Sequence, residues 1–361
     1  MPRIKCVVKS KWFLLAMFIL AVILVISLLL KLSPNTVLNL YNFEGTALII
    51  QDGETILRAA YGMACDTQNI EHTVYSQFYI ASVSKQFTGA AILLLEIDGL
   101  LDTSDTLDNF FTGHDNLGDV TVADLLVMRG GFGSYIPWLF DLRNAGEFEK
   151  MLSLTNEDIE YHIISNWRGA PLGFYAYSNS DYWLLGRIIE QASGMTYQEF
   201  ITTRIFEPVG MANSGFAGVH DAVSPHGIPY VYFDGKNVMD AANWPFSFTY
   251  ATGGLISTVD DLSLWLDAFF GGELFPTYLL DDVVLVGSYN YGWFFESDPI
   301  WQHPGNLPGF NAHVLYDRDS GTRIILLSNQ YRAVGGLTSI TRAVSMVVFD
   351  RPIGRGLMPW H

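Results

Sequence analysis

Two strand-turn-strand patterns stand far apart in the 361-residue chain, and a fold must either unite them or leave two hairpins standing alone. The first, GTALIIQDGETILRAAYG from Gly45 to Gly62, sets two apolar runs around an Asp-Gly turn. The second, FNAHVLYDRDSGTRIILLSNQ from Phe310 to Gln330, repeats the design with DRDSG at its turn. GGLTSITRAVSMVVFD follows it with helical periodicity. Lone hairpins are marginal in water, so the economical solution is one antiparallel sheet drawn from both ends of the chain. Helical patterns fill the interval: Ser82 to Leu101, Thr121 to Met128, Ser180 to Ser193, Thr196 to Ile205 and Thr258 to Phe270. Several open on Ser, Thr or Asp caps, and Thr258 with Asp261 resembles a capping box. The expected class is α+β, an α/β sandwich whose sheet carries a mostly helical insert. Residues 218–250, rich in Gly, Pro and aromatics, read as long loops of the kind that line sites.

Ahead of the first hairpin, WFLLAMFILAVILVISLLLKL from Trp12 to Leu32 has no charge before Lys31 and is long enough to span a bilayer core as a helix. Arg3, Lys5, Lys9 and Lys11 precede it, a bias that keeps the N-terminus in the cytoplasm. The expected organisation is a cytoplasmic tail at 1–11, a single-pass signal-anchor at 12–32, a polar linker at 33–41 and an extracytoplasmic domain at 42–361. A cleaved signal peptide, giving a secreted protein, is the alternative; the apolar run is long for one, and no small-x-small site follows Leu30. Residues 1–32 hold five of the 20 basic residues and none of the 37 acidic ones, leaving 15 − 37 = −22 for the rest. With no Lys/Arg cluster outside the anchor flank, nucleic-acid binding is not expected. Of the two cysteines, Cys6 lies before the run and Cys65 stands alone after it, so no intramolecular disulfide is expected.

Three short patterns could carry chemistry. In IASVSKQFTGAAILLLEIDGLL, Lys85 follows Ser82 by three residues at the start of an apolar helix, so amine and hydroxyl share one face. Desolvation and the positive helix terminus both push such an amine toward its neutral, proton-accepting form. In isolation Ser-x-x-Lys is a weak signal, read first as a helix cap beside a snorkelling lysine. In FYAYSNSDYWLLGRIIEQ, Tyr177 and Asn179 flank Ser178 just before a helix and could present a phenol and a carboxamide to one cavity. In HPGNLPGF, His303 heads a glycine-containing stretch expected to lie beside an edge strand, with Gly305 admitting a substrate backbone and the imidazole offering a donor or a charge. No pair of histidines or cysteines has metal-ligand spacing, and neither a metal nor a cofactor is expected.

Taken in order with their neighbours, these patterns resemble the serine β-lactamase and penicillin-binding-protein superfamily, in the branch of class C β-lactamases, D-Ala-D-Ala carboxypeptidases and related esterases. ATGGLISTVDDLSLWL resembles a further block, and the likeness runs from about residue 42 to about residue 335. The resemblance implies Ser82 as acylated nucleophile, Lys85 as base or relay, Tyr177 as a partner in proton transfer and Asn179 as a contact to the substrate carbonyl side. It implies His303 in the place of a lysine common among relatives, Gly305 at the strand edge, and Ser82 and Asn306 N–H groups as the oxyanion hole.

Three departures shape the expected function. LLVMRGGFGSY at 125–135 brings Arg129 where relatives carry small polar residues, Pro304 replaces a hydroxyl that would hold a substrate carboxylate, and His303 replaces a fixed cation. The expectation is therefore a membrane-anchored extracytoplasmic serine hydrolase acting through an acyl-enzyme on a small-molecule or peptide ester or amide. Esterase or peptidase-like activity is favoured over efficient β-lactam hydrolysis. The alternative is a catalytically silent relative that binds cell-wall peptides or a protein.

Overall fold

The computed structural model describes residues 32–349 apart from 66–67, 113, 115–116, 167–172, 217–245, 285–288, 298 and 331–336, together with residues 13–15 and 17–19. Seven strands form the main sheet: β1 Gly45–Gln51, β2 Glu54–Tyr61, β3 Tyr289–Asn290, β4 Trp293–Ser297, β5 Ile300–Leu307, β6 Phe310–Asp317 and β7 Arg323–Ser328. Their order is β2-β1-β7-β6-β5-β4-β3, every neighbour antiparallel. Both ends of the described domain thus meet at the β1–β7 seam, where Ala47 pairs Leu326 and Ile49 pairs Ile324. The first hairpin turns at Asp52 and Gly53, whose φ of 50° and 83° are the left-handed pair that follows strand twist.

The sheet is covered on both faces, which is why its central strands β6 and β7 are buried along their whole length. On the inner face Leu48, Val314, Ile325 and Leu327 join a large core shared with α2 Ser84–Ile97, α3 Val122–Leu126, α4 Asn179–Ser193 and α5 Val259–Gly271. On the outer face Ala47, Ile49, Leu315, Ile324 and Leu326 pack with α1 Pro34–Leu40 and α6 Thr338–Val348.

The structure corrects several expectations. The connector at 33–41 is not a linker: Ser33 Oγ accepts from Thr36 N at 3.2 Å, Pro34 sits in the first turn, and Val37 and Leu38 are buried. A Ser-Pro start and two adjacent apolar residues sufficed to dock one short helix on the sheet. The helix expected from Ser82 to Leu101 begins as a 3-10 turn at Ala81–Val83, turns α-helical at Ser84 and stops at Ile97, where Gly99 takes φ 70°. Thr258 caps α5 through Asp261 N at 3.1 Å, but the Asp261 carboxylate reaches Asn213 N and Ser214 Oγ, both at 2.8 Å, so the box is only half made. His303 heads no stretch beside a strand; it lies within one, β5. Proline is tolerated beside it because β4 pairs with β5 only over Ile300–Gln302, leaving the outer edge at Pro304 without a ladder partner.

Most of the apolar run at 12–32 and the stretch 217–245, within the expected long loops, lie outside the described residues. Among the described residues no helix is long and apolar enough to cross a membrane. Cys65 is buried.

Candidate active site

The Ser82 turn is held against the sheet edge. Ile80 N donates to Leu255 O at 3.0 Å, and the next residue, Ala81, takes φ 50°, a left-handed conformation that costs a non-glycine residue about 1–2 kcal/mol. Gly305 of β5 is what lets the turn approach: a Cβ there would stand 2.3 Å from Ile80 O and 3.1 Å from Ala81 Cβ. Its glycine is therefore required by strand-to-turn packing. Asn306, the next residue, is exposed at the end of the strand, opposite Asn311.

One turn on, Lys85 is fully buried with its amine surrounded by three oxygens. Nζ lies 3.1 Å from Ser82 Oγ, 2.9 Å from Asn179 Oδ1 and 2.7 Å from Thr252 O. No carboxylate neutralises it among these partners, and burial holds its pKa well below the usual lysine value. A neutral amine has two N–H bonds and one lone pair. The amide oxygen and the backbone carbonyl can only accept, so they take the two hydrogens and aim the lone pair at the Ser82 hydroxyl. Ser82 itself is half-buried, open enough to meet a substrate.

Asn179 is fixed from both sides, since its Nδ2 donates to Ser134 Oγ at 3.1 Å while its oxygen receives the lysine. Its amide thus orients Lys85 in this state. The half-buried Tyr177 places its ring centroid 5.2 Å from Lys85 Nζ, with its phenol near Ser82. Burial nevertheless raises the phenol pKa above its ordinary value, so it is a protonated donor at neutral pH.

His303 departs most from expectation. It is fully buried among aromatic rings, 5.0 Å from Phe294 and 5.7 Å from Tyr289 between centroids. Its Nδ1 lies 2.5 Å from Pro304 O and its Nε2 3.2 Å from the Tyr289 hydroxyl. The neutral tautomer with Nδ1–H donating and Nε2 accepting satisfies both contacts. Burial, then the nearby Lys85, push its pKa well below the usual histidine range, so it offers no positive charge.

Sequence reasoning missed Thr252, Ser134 and Asp181. Asp181 is buried in the first turn of α4, its Oδ1 2.5 Å from Ser178 Oγ and its Oδ2 receiving Gly130 N at 3.2 Å. It ties the segment bearing Tyr177 and Asn179 to the loop bearing Arg129 and Ser134, a junction completed by Ala176 N donating to Met128 O at 3.1 Å. Desolvation pushes its carboxyl pKa up to about 8. A cap box read at Ser178 would have picked out Asp181; nothing local marks the Thr252 carbonyl, whose place is set by the fold.

The Beta-lactamase family model matches residues 41–344. Penicillin-binding protein 4* of Bacillus subtilis (strain 168) is 27% identical over 339 residues, covering 86% of this chain and 74% of that protein. FmtA from Staphylococcus aureus superposes with a TM-score of 0.72 at 16% identity, over 91% of this chain and 89% of the other. The D-amino acid amidase from Ochrobactrum anthropi SV3, solved with L-phenylalanine amide, gives a TM-score of 0.67 at 22% identity, over 84% and 92%. With the family model spanning most of the chain, and the fold shared with these structures, the chain belongs to the Beta-lactamase family of serine hydrolases acting on amide or ester bonds.

Proposed function

We propose that this chain is a membrane-anchored, extracytoplasmic hydrolase that cleaves amides or esters lacking a free carboxylate at the recognised end, through an acyl-Ser82 intermediate. The observation that carries the reading is the Lys85 amine, buried without a counter-charge and aimed at Ser82 by two acceptor-only partners. As Ser82 Oγ bonds to the substrate carbonyl carbon, its proton passes to Nζ and the carbonyl electron pair moves onto oxygen. N–H groups of Ser82 and Asn306 are the proposed donors to that oxyanion. Collapse breaks the bond to the leaving group, which takes a proton from the Lys85 ammonium through the Tyr177 phenol. Water then adds to the acyl carbon, yields its proton to the same relay, and Ser82 departs reprotonated.

The substrate class rests on what β5 lacks. Neutral His303, buried among rings, and Pro304, with neither hydroxyl nor N–H, leave no donor there for a carboxylate. The test is intact-mass analysis after incubation with p-nitrophenyl butyrate, an amino-acid amide, a D-Ala-D-Ala peptide and penicillin. Acylation by the first two and its loss in Ser82→Ala is the expected result; no adduct and no turnover with any of them would leave the silent binder as the better description.

A further inference from the structure

The sheet's two faces differ in charge as well as in cover. In a chain whose residues after Leu32 sum to −22, the segment from Ser33 to Phe43 has no charged residue, and Leu337 to Phe349 has one, Arg342. These segments form α1 and α6, which pack against one another on the outer face through Val37, Leu38, Ile340 and Val344. Their solvent sides are apolar in places where a water-facing helix would carry charge: Leu40 is 68% exposed, Tyr41 42% and Met346 55%. Leu32, the last residue of the apolar run, itself packs on this cluster. No flexible spacer separates that run from the folded domain, since α1 starts at Pro34.

We infer that the α1–α6 face lies on the lipid surface, holding the domain against the bilayer with the Ser82 cleft turned away from it. The inference rests on the anchored reading proposed above. Three independent features select a bilayer as occupant: the apolar run ends on this face, the face shows tyrosine and aliphatic side chains suited to a headgroup boundary, and neither of its two helices carries a carboxylate that an anionic surface would repel. Ser82 sits on the inner side of the sheet, where Gly305 meets Ile80 and Ala81. Docking by the outer face therefore leaves the nucleophile open to the aqueous compartment, and its substrates are water-borne molecules or wall-side polymers, not the lipids beneath it.

The test uses the full chain reconstituted into phosphatidylglycerol–phosphatidylcholine vesicles containing brominated acyl chains. In a Cys6→Ser, Cys65→Ala background, an environment-sensitive fluorophore is placed at Leu40→Cys, Met346→Cys, Tyr161→Cys or Phe174→Cys. The last two are exposed sites on the helical side and beside Tyr177. Emission should be strongly quenched at 40 and 346 and unchanged at 161 and 174. Hydrogen exchange on the unmutated chain in the same lipids, without bromine, checks the result free of any folding defect: 33–43 and 338–349 should be slowed relative to the chain freed from lipid by proteolysis before Ser33. Quenching or protection around 174 in place of these segments overturns the orientation. Retention after alkaline carbonate with no signal at 40 or 346 overturns docking but leaves the anchor, whereas release by carbonate overturns the anchored reading itself.

Discussion

Gly305→Ala separates two accounts of why a glycine stands in β5. If the glycine serves to admit a substrate backbone, alanine should hinder bulky substrates and spare small ones. The geometry argues otherwise: the new methyl would stand 2.3 Å from Ile80 O, and to reach even 3.0 Å the strand and the Ser82 turn must part by about 0.7 Å. Neither side yields easily, because Ile80 is tied to Leu255 and β5 is laddered along its length to β6. Overpacking of this kind costs about 1–3 kcal/mol of stability. A misplacement approaching 1 Å at reacting atoms costs on the order of 10²-fold in rate. The assay is the second-order rate of labelling by a small ethoxy-fluorophosphonate, with a thermal melt in parallel. Labelling should slow by about 10- to 100-fold even with this small probe. A variant that labels as fast as wild type, and loses rate only with large esters, would refute the packing account and restore substrate clearance as the reason.

Lys85→Arg keeps a cation but cannot give up its proton, so labelling of Ser82 should fall by about 10²–10⁴-fold, approaching the blank set by Ser82→Ala. In wild type the labelling rate should reach its plateau well below the ordinary lysine value and decline on acidification through the depressed Lys85 pKa; a rise that continues up to that ordinary value would contradict the neutral amine. Asp181 has a folded pKa raised to about 8 from 3.8, so its contribution to stability is complete below about 4 and lost as pH climbs through about 8. Asp181→Asn should therefore melt above wild type at pH 9 and show a flatter pH dependence between 5 and 9, read by calorimetry; parallel curves for the two proteins would count against a buried, protonated carboxyl. Amino-acid amides or esters should be turned over about 10- to 100-fold faster than matched substrates ending in a free carboxylate, the penalty of an unpaired charged acceptor. A preference for the acid would point to His303 or Arg129 as an anion holder.

What the sequence disclosed about the fold was whatever repeats at short range. The Asp52-Gly53 turn, the buried runs of β6 and β7 and the caps at Thr121, Thr196 and Thr258 each follow from neighbours within a few residues. Ser82 and Lys85 were legible for the same reason, being one helical turn apart. The two acceptors that orient the lysine, Asn179 Oδ1 and Thr252 O, come from positions 94 and 167 residues away, and the second is a backbone atom that no side-chain pattern marks. Strand β5 was hidden because Pro304 and Gly305 both speak against a strand; they are allowed there only by a free edge and a close turn, which are properties of the assembled sheet. Likewise α1 looked like a connector because it is short and begins with Ser33, Pro34, Asn35 and Thr36, and only the docking of Val37 and Leu38 under α6 makes it part of the domain.

His303 shows how a single residue changes meaning with its surroundings. Exposed to water, an imidazole is a titratable group near neutrality; buried among Phe294, Tyr289 and Tyr177 it is held neutral, and a proton on the adjacent Lys85 would only hold it so more firmly. Two adjacent cations would repel each other and each would have to be desolvated in the same aromatic enclosure, so the two groups are not charged together and burial favours the neutral form of each. Replacing His303 by lysine, in imitation of relatives, would then place a second buried amine beside the first. The consequence expected for His303→Lys is not a recovered carboxylate site but a less stable protein, melting lower by several degrees as about 1–3 kcal/mol is lost. A variant that melts like wild type and gains penicillin acylation would show that the enclosure opens to solvent more readily than its packing implies.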